Sequence, residues 1–548
     1  MDIKEKTIAL IDDLKATCQK YGLGNDGNEY KIIIQIFLYK FINDKFGYEI
    51  KQNEFFGPKI TKAPTWEEGY KNLEPNEQGL LLNLLGAKVP KLKPEHLLSY
   101  LRSQENIENF HELLDKTMLE IAEINSDTFS TKTTKNTRVE LFEPITEHVI
   151  DKTSRDNFAK ALVDKLANFS FESAFAANYD FFASIFEYLI QDYNTAGGGK
   201  YAEYYTPHAI ASIMANLLVE DENKLTSVEC YDPSAGTGTL LMALAHRIGE
   251  ERCTIYSQDI SQRSNKMLKL NLMLNGLISS LDNIIQGDTL TEPYHMSDDG
   301  KNNRQFDFVV SNPPFKMDFS DTRESIASAS NSTRFWAGVP KVPNKKKESM
   351  AIYTCFLQHV INSMKPNGKA AIVVPTGFIT AKSNIEGKIL KRLVEDKIVY
   401  GCVSMPSNVF ANTGTNVSVL FLDKSAQNDK VVLIDASNLG EEYKDPNGLK
   451  KRRLNADDIE KIVKTFHAKE KVDEFSAVVS YEEIAAKNNS LSAGQYFDIK
   501  IEHEDITQEE FEARMSAFKT KLAEQFEQSQ KLQQEIMAQL DSLKLNSK

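Results

Sequence analysis

The sequence predicts a doubly wound, Rossmann-like α/β sheet, preceded by an N-terminal helical domain and followed by a C-terminal helical tail. Three observations carry this expectation. Short β-prone apolar runs alternate with helical patterns between residues 227 and 422, as they do where crossover helices link parallel strands. The first of these runs passes into a glycine turn and then straight into an apolar helix over 240–245. Outside this region the apolar residues follow helical spacing instead. The pattern suggests domains at 1–170, 171–480 and 481–548.

The first 170 residues read as mostly helical. Ile32, Ile33, Ile34, Phe37, Leu38 and Phe41 make an apolar face at helical spacing, and the pattern recurs over 80–85, 97–101 and 110–121. Breaks fall at 90–94, where Pro90 and Pro94 flank two lysines, and at 125–137. No nucleophile, metal cluster or phosphate loop stands out here, and a helical bundle is the expectation.

A further helix is expected over 181–192, followed by a glycine hinge at Gly197, Gly198 and Gly199. The next residues are Glu203, Tyr204, Tyr205, Thr206, Pro207 and His208. Thr206 is placed to cap the helix that follows, with Pro207 at its first position. The segment is either that cap alone or a loop that folds over a ligand.

The strand over 227–232 ends at Asp232 and runs into Pro233, Ser234, Ala235, Gly236, Thr237 and Gly238. Strand, glycine turn and helix form the opening of a nucleotide-binding sheet, in which glycines let the backbone approach a ligand and the helix N-terminus offers unpaired N–H groups. Neither GxGxxG nor GK[ST] is present, which disfavours a pyrophosphate or triphosphate ligand. Asp232, at the strand end, would sit by a ligand cation. A second strand over 254–258 ends at Asp259, 23 residues beyond Gly236 and close to the spacing at which an acid holds ribose hydroxyls. A third over 283–286 ends at Gly287 and Asp288, and a fourth over 306–310 ends at Ser311 and Asn312. Strands over 369–374, 398–403 and 417–422 complete the prediction. Ligands then belong at the carboxyl edge, where Asp232, Asp259, Asp288 and Asn312 would all lie.

Asn312, Pro313, Pro314 and Phe315 follow the fourth strand directly. Two prolines end the ladder because neither has an N–H to donate. The Asn312 carboxamide and the Pro313 carbonyl can then point into one cleft, where two oxygens accept both hydrogens of a planar amino group. Phe315 offers a face for a flat ring. The segment is otherwise an ordinary turn after a strand.

Composition bounds the function class. The 548 residues exceed what one hydrophobic core usually serves. The amino-terminal residues show no basic-then-apolar signal pattern, and no long uncharged apolar run is present, so a cytoplasmic chain without a membrane span is expected. Five scattered cysteines without a CxxC pair argue against a zinc site or disulfide framework, and no metal is expected. The net charge of −13 does not announce a nucleic-acid binder, although basic clusters occur at 341–347, 382–397 and 450–453; each of these reads as a solvated surface.

In order, Tyr205-Thr206-Pro207, Asp232-Pro233-Ser234-Ala235-Gly236-Thr237-Gly238, Gln258-Asp259, Gly287-Asp288 and Asn312-Pro313-Pro314-Phe315 resemble the γ-type amino methyltransferases that act on DNA adenine. Arg334-Phe335-Trp336-Ala337-Gly338-Val339-Pro340, the strand ending Val374-Pro375, and Pro406-Ser407-Asn408-Val409-Phe410-Ala411-Asn412-Thr413 are similar to the modification subunit of type I restriction–modification systems. The resemblance covers roughly 170–425 well and the ends by layout only. It implies a class I methyltransferase sheet and S-adenosylmethionine as cofactor. It implies that residues 203–208 and 234–236 line the cofactor, that Asp232 faces its methionine end, Asp259 its ribose and Asp288 its adenine. Asn312 and Pro313 would hold the target amine while Phe315 stacks on the flipped base. His208 stands where the family often has Arg, and Met405-Pro406 where it often has Leu-Pro. The partners implied are duplex DNA, a specificity subunit, a second modification subunit and, where restriction accompanies modification, a restriction subunit. The same device would also serve an RNA base or a protein glutamine amide, and a non-catalytic cofactor-binding scaffold is a third reading.

Two segments remain. Residues 316–347 are polar and rich in Ser, Asn and Lys, which reads either as a disordered insertion or as a loop that orders over DNA with Arg334, Phe335 and Trp336 as anchors. In the tail, Thr507 and Glu510 make a capping box, and Phe511, Met515, Phe518 and Leu522 begin an apolar stripe. That stripe either packs on its own domain or is offered to a partner chain.

Overall fold

The structure, a computed structural model, describes residues 2–24, 27–86, 89–135, 137–140, 142–175, 185, 188, 206–300, 302–410, 416–444, 448, 450–498 and 506–542. The expected helix over 181–192, apart from 185 and 188, and the glycine hinge lie outside them. So do Glu203, Tyr204, Tyr205 and residues 411–413 of the 406–413 motif.

The described strands are β1 (Thr131–Thr133), β2 (Arg138–Val139), β3 (Val228–Asp232), β4 (Cys253–Asp259), β5 (Ile284–Gln286), β6 (Phe306–Ser311), β7 (Met364–Pro375), β8 (Val399–Ser404), β9 (Val417–Asp423), β10 (Lys430–Asp435), β11 (Glu441–Lys444), β12 (Lys450–Arg453) and β13 (Ser476–Ser480). Eleven of them form one sheet in the order β13-β10-β8-β9-β7-β6-β3-β4-β5-β1-β2. From β5 to β7 all neighbours are parallel, and β9 is inserted antiparallel to both β7 and β8. The chain starts at β3, winds to β4 and β5 on one side and returns to β6 on the other, so the winding reverses between β3 and β6. A crevice at the carboxyl ends of the strands is the usual consequence of such a reversal. Strands β8 and β9 are buried almost throughout, which is why they read as continuous apolar runs without alternation.

The N-terminal region is not purely helical. The segment 125–137, expected to be a break, holds β1, which pairs parallel with β5 through Lys132–Ile285 and Thr133–Gln286 and extends the sheet beyond it. Three-residue strands of Thr and Lys carry no periodic signal of their own, so the neighbouring strand decides their conformation. The long helix Gly27–Gln52 is buried on all sides between Ile32 and Asn43, where Lys40 lies in a 2.8 Å ion pair with Asp44. One apolar core runs from Leu10, Ile36 and Phe171 into Ile255, Val310 and Phe421 on one face of the sheet. A second, around Tyr231, Leu357, Ile372 and Leu433, covers the other.

Contacts divide the chain into Met1–Phe497 and Asp498–Lys548, whereas the sequence pattern suggested breaks at 170 and 480. The shared core accounts for the first difference, and β13 with the following helix Tyr481–Ala486 accounts for the second, since Tyr481 and Ile484 are buried in the second core. Among its described residues the later unit holds the helix Gln508–Ser542, preceded by Thr507, whose hydroxyl accepts the Glu510 N–H while the Glu510 carboxylate accepts the Thr507 N–H.

The segment 316–347 is ordered against its own domain. Phe319, Ile326, Phe335 and Val339 are buried with Leu290 and Phe356 in a third apolar cluster. Arg334 is 5% exposed and donates through Nη2 to the carbonyls of Leu290 and of Thr289. Trp336 is half-buried beneath the Arg392 guanidinium, 4.2 Å from its ring centre. Neither the disordered insertion nor a set of outward anchors describes it, because the apolar residues that bury it are too widely spaced to show a period.

Candidate functional site

Asp232, Asp259 and the Ser311–Asn312 step end three adjacent parallel strands at one edge of the sheet. Register pairs Tyr231 with Val309, so the chain reaches Ser311 beside the turn after β3, where the Ser311 and Ser234 hydroxyls meet at 2.7 Å. A narrow crevice of about 10 Å³ lies there, lined by Thr206, Asp232, Ser234, Ala235, Thr237, Thr239, Leu240 and Asn312.

The turn after β3 is shaped by its own short residues. Asp232 Oδ1 accepts the Ser234 N–H at 2.9 Å, and the Gly238 N–H closes on the Ala235 carbonyl at 2.8 Å. Gly238 has φ +84°, and a Cβ there would lie 2.1 Å from Leu268 Cδ1, so both conformation and close packing require glycine. The Asp232 carboxyl is 1% exposed, and burial, reinforced by the neighbouring Asp259, pushes its pKa up to about 8.

Asp259 spans the gap between strands. One oxygen accepts the Gly236 N–H at 2.9 Å and the other the Ser261 N–H at 2.8 Å, so the carboxylate braces the glycine turn and the start of the next helix. Burial raises its pKa. The following Ile260 is 64% exposed, an apolar face at this edge that sequence reading passed over. Asp288 accepts the Leu290 N–H at 2.9 Å, and Thr289 donates its hydroxyl to the Pro233 carbonyl at 2.7 Å, which ties the Asp288 turn to the Asp232 turn. A Cβ on Gly287 would lie 2.2 Å from Thr134 Cγ2, so a glycine before Asp288 is what admits the N-terminal segment.

Asn312 is half-buried and Pro313 buried. Asn312 Nδ2 donates to Thr206 Oγ1 at 2.9 Å, which leaves Oδ1 as the acceptor. Thr206 was expected to cap the next helix. That helix spans His208–Leu218 with Pro207 at the N-cap and no side-chain cap bond. The hydroxyl is instead used on the carboxamide, a partnership across 106 residues that no local pattern could reveal. Phe315 is half-buried, its ring edge-on to Tyr353 at 6.3 Å, and Tyr353 is in turn edge-on to Phe378 at 6.1 Å. Pro207 and Pro314 are half-buried beside these residues. His208 lines a different cavity, of about 450 Å³, at the far end of the helix Thr239–Ile248 with His246, Arg247 and Arg252.

These residues suit a cationic cofactor that carries a nucleoside. This edge of the sheet holds a buried carboxyl that a positive charge would ionise, and beside the crevice a second carboxylate with lone pairs to spare for hydroxyls, an exposed apolar residue for a base, and a backbone turn kept free of side chains. Among the described residues no group of three or more His, Cys, Asp and Glu side chains could hold a metal ion, and no helix is long and apolar enough to cross a membrane. The five cysteines are free and buried.

Residues 177–505 match the family described as N-6 DNA Methylase. The type I restriction enzyme MpnII methylase subunit of Mycoplasma pneumoniae is 28% identical over 362 residues, 65% of this chain and 64% of that protein. The MjaIX methylase subunit of Methanocaldococcus jannaschii is 28% identical over 399 residues, 70% of this chain and 66% of that protein. The chain thus spans a little under two thirds of the length of both relatives. In structure it is similar to the type I restriction–modification methyltransferase subunit from Streptococcus thermophilus, with a TM-score of 0.70 and 22% identity over 91% of this chain and 100% of that one.

Proposed function

Because the chain belongs to the N-6 DNA Methylase family, we propose that it methylates the exocyclic N6 amine of an adenine flipped out of duplex DNA, as the modification subunit of a type I restriction–modification complex. The observation that carries this reading is the oriented carboxamide. With one Nδ2 hydrogen engaged by Thr206, the Asn312 carboxamide is held in one orientation and keeps Oδ1 as the acceptor for an incoming amine, at the edge that holds Asp232 and Asp259.

The cofactor is S-adenosylmethionine, which supplies an electrophilic methyl group on a sulfonium sulfur. Asp232 would bind its cationic methionine end, Asp259 its ribose hydroxyls, Ile260 and the Asp288 turn its adenine, and Thr206 and Pro207 would border it. Asn312 Oδ1 and the Pro313 carbonyl would accept the two amine hydrogens, drawing the nitrogen lone pair out of conjugation with the ring. Phe315, kept in place by Tyr353, stacks on the flipped base. Flipping costs a few kcal/mol, and alignment of the two reactants returns more than that in rate. No side-chain base adjoins Asn312 in the motif, so the proton displaced from nitrogen passes to solvent.

The helix Gln508–Ser542 carries exposed Phe511, Met515, Phe518, Leu522 and Phe526, a stripe suited to a partner helix. Two such chains per complex, in the cytoplasm, complete the proposal. One experiment tests it: methyl transfer to duplex DNA by the full chain with and without a co-expressed specificity subunit, alongside Asn312→Ala and a truncation at residue 505. Transfer should need the partner, fail in Asn312→Ala with cofactor binding intact, and fail in the truncation through loss of the partner. Wild-type transfer rates in Asn312→Ala, or transfer to RNA or protein and none to DNA, would sink the reading.

A further inference from the structure

Between β10 and the helix Ala456–Ala468 the chain leaves the main sheet as a two-stranded ribbon, β11 and β12. Strand β11 is exposed along its whole length, and Lys450 and Arg453 are exposed in β12. Register sets Glu441 opposite Arg453 and Glu442 opposite Arg452, so the base of the ribbon pairs opposite charges, with a 2.8 Å ion pair between Arg452 and Glu442. The distal end does the reverse. Lys444 faces Lys450, and Lys451 faces Tyr443, so among the described residues no carboxylate is paired across the ribbon with these lysines. Like charges directly opposite one another destabilise a strand pair, and an isolated two-stranded ribbon is marginal already. An anion between the lysines would remove that penalty.

The ribbon stands on the edge that carries the site. Strand β10 runs parallel to β8, β8 runs antiparallel to β9, and β9 antiparallel to β7, so β10 runs in the same direction as β6 and leaves the sheet at the same edge as Asn312. Its base is pinned there: the Arg452 guanidinium donates to the Ser437 carbonyl at 2.9 Å and the Arg452 N–H to the Asn408 carbonyl at 3.1 Å, in the turn after β8. Four strand spacings separate β6 from β10. At about 4.8 Å each they amount to roughly 19 Å, about six steps along a duplex with one phosphate per strand every ~3.4 Å. The chain as a whole carries −13, so a local cation cluster at this edge is where a polyanion would be engaged.

We propose that Lys444, Lys450 and Lys451 form a backbone contact for duplex DNA, gripping phosphates on the same edge of the sheet as the adenine held at Asn312. The inference rests on the methyltransferase reading and adds a contact that fixes where the duplex runs over the sheet. It is tested with the full chain carrying Lys444→Gln, Lys450→Gln and Lys451→Gln together, by titrating a random-sequence duplex at increasing salt. Loss of three phosphate contacts should flatten the slope of log affinity against log salt by about 2–3. Cofactor affinity and melting temperature should stay at wild-type values, and the triple Lys→Arg variant should keep the wild-type slope. An unchanged salt slope in the Gln variant overturns the inference, as does a variant that binds DNA normally and instead loses capture of the specificity subunit. A wild-type chain that grips DNA through these lysines yet transfers no methyl group to it even with a co-expressed specificity subunit would reject the functional reading and leave the contact standing.

Discussion

Asp232→Asn isolates the proton that the buried carboxyl holds. In the folded chain Asp232 is 1% exposed, and burial lifts its pKa to about 8, against roughly 3.9 in an unfolded chain. Between those values the folded state keeps a proton that the unfolded state has lost. The stabilisation it represents is therefore complete below about pH 4 and declines as pH rises, by about 1.4 kcal/mol per unit, until it levels off above about pH 8. Asn keeps an acceptor for the Ser234 N–H but has nothing to titrate. The melting temperatures of wild type and variant should therefore diverge in the variant's favour from acid toward pH ~8 and then run parallel. Ligand binding reports the same proton with the opposite sign. A cationic cofactor beside Asp232 draws the carboxyl into its ionised form, so binding below about pH 8 releases close to one proton and weakens up to about tenfold for each unit of acidification. Calorimetry of S-adenosylmethionine binding in two buffers of different ionisation enthalpy counts that proton. The ligand's own titration is common to wild type and Asp232→Asn, and the difference between them belongs to Asp232. Equal proton release and equal pH slopes in the two proteins would refute the reasoning.

Two further outcomes follow from the site. Thr206→Val removes the hydroxyl that orients the Asn312 amide; losing about 1 kcal/mol should lower kcat roughly fivefold with cofactor affinity unchanged, and Thr206→Ser should restore it. A fall in cofactor affinity that accounts for the whole loss would show the hydroxyl to be a cofactor contact only. Arg334→Met strips the Leu290 and Thr289 carbonyls of their buried donor, at a cost of about 1–3 kcal/mol in thermal stability, with partial recovery in Arg334→Lys. A variant of wild-type stability that has lost DNA affinity would return Arg334 to the DNA-facing role that its sequence context suggested.

The parallel half of the sheet was legible because its strands are short apolar runs that end at Asp232, Asp259, Asp288 and Asn312, each followed by a turn or a helix start. Those signals are local, so one sequence suffices to find them. What escaped depends on distant partners. Strand β1 exists because β5 is there to pair with it. Strands β10 and β13 and the ribbon follow the last alternating segment, where exposed charges obscure the pattern. The segment 316–347 has a polar composition, yet Phe319, Ile326, Phe335 and Val339 fasten it down from positions no periodic search would connect. Thr206 looked like a cap because Thr-Pro at a helix start usually is one, and only the arrival of Asn312 gives the hydroxyl a better partner.

The pairing of β1 with β5 also bears on how the chain is made. Lys132 waits for Ile285, so the edge of the sheet cannot close until more than half the polypeptide has left the ribosome. Until then the N-terminal helices hold an apolar face that later-synthesised strands must cover. Contacts of such long sequence separation form slowly, and the interval exposes surface that aggregates. Fragments that stop short of residue 286 should therefore be poor reagents, and attempts to produce the helical region alone should meet insolubility. A usable shortened chain would have to be trimmed from the other end, at the helix Gln508–Ser542 beyond Phe497.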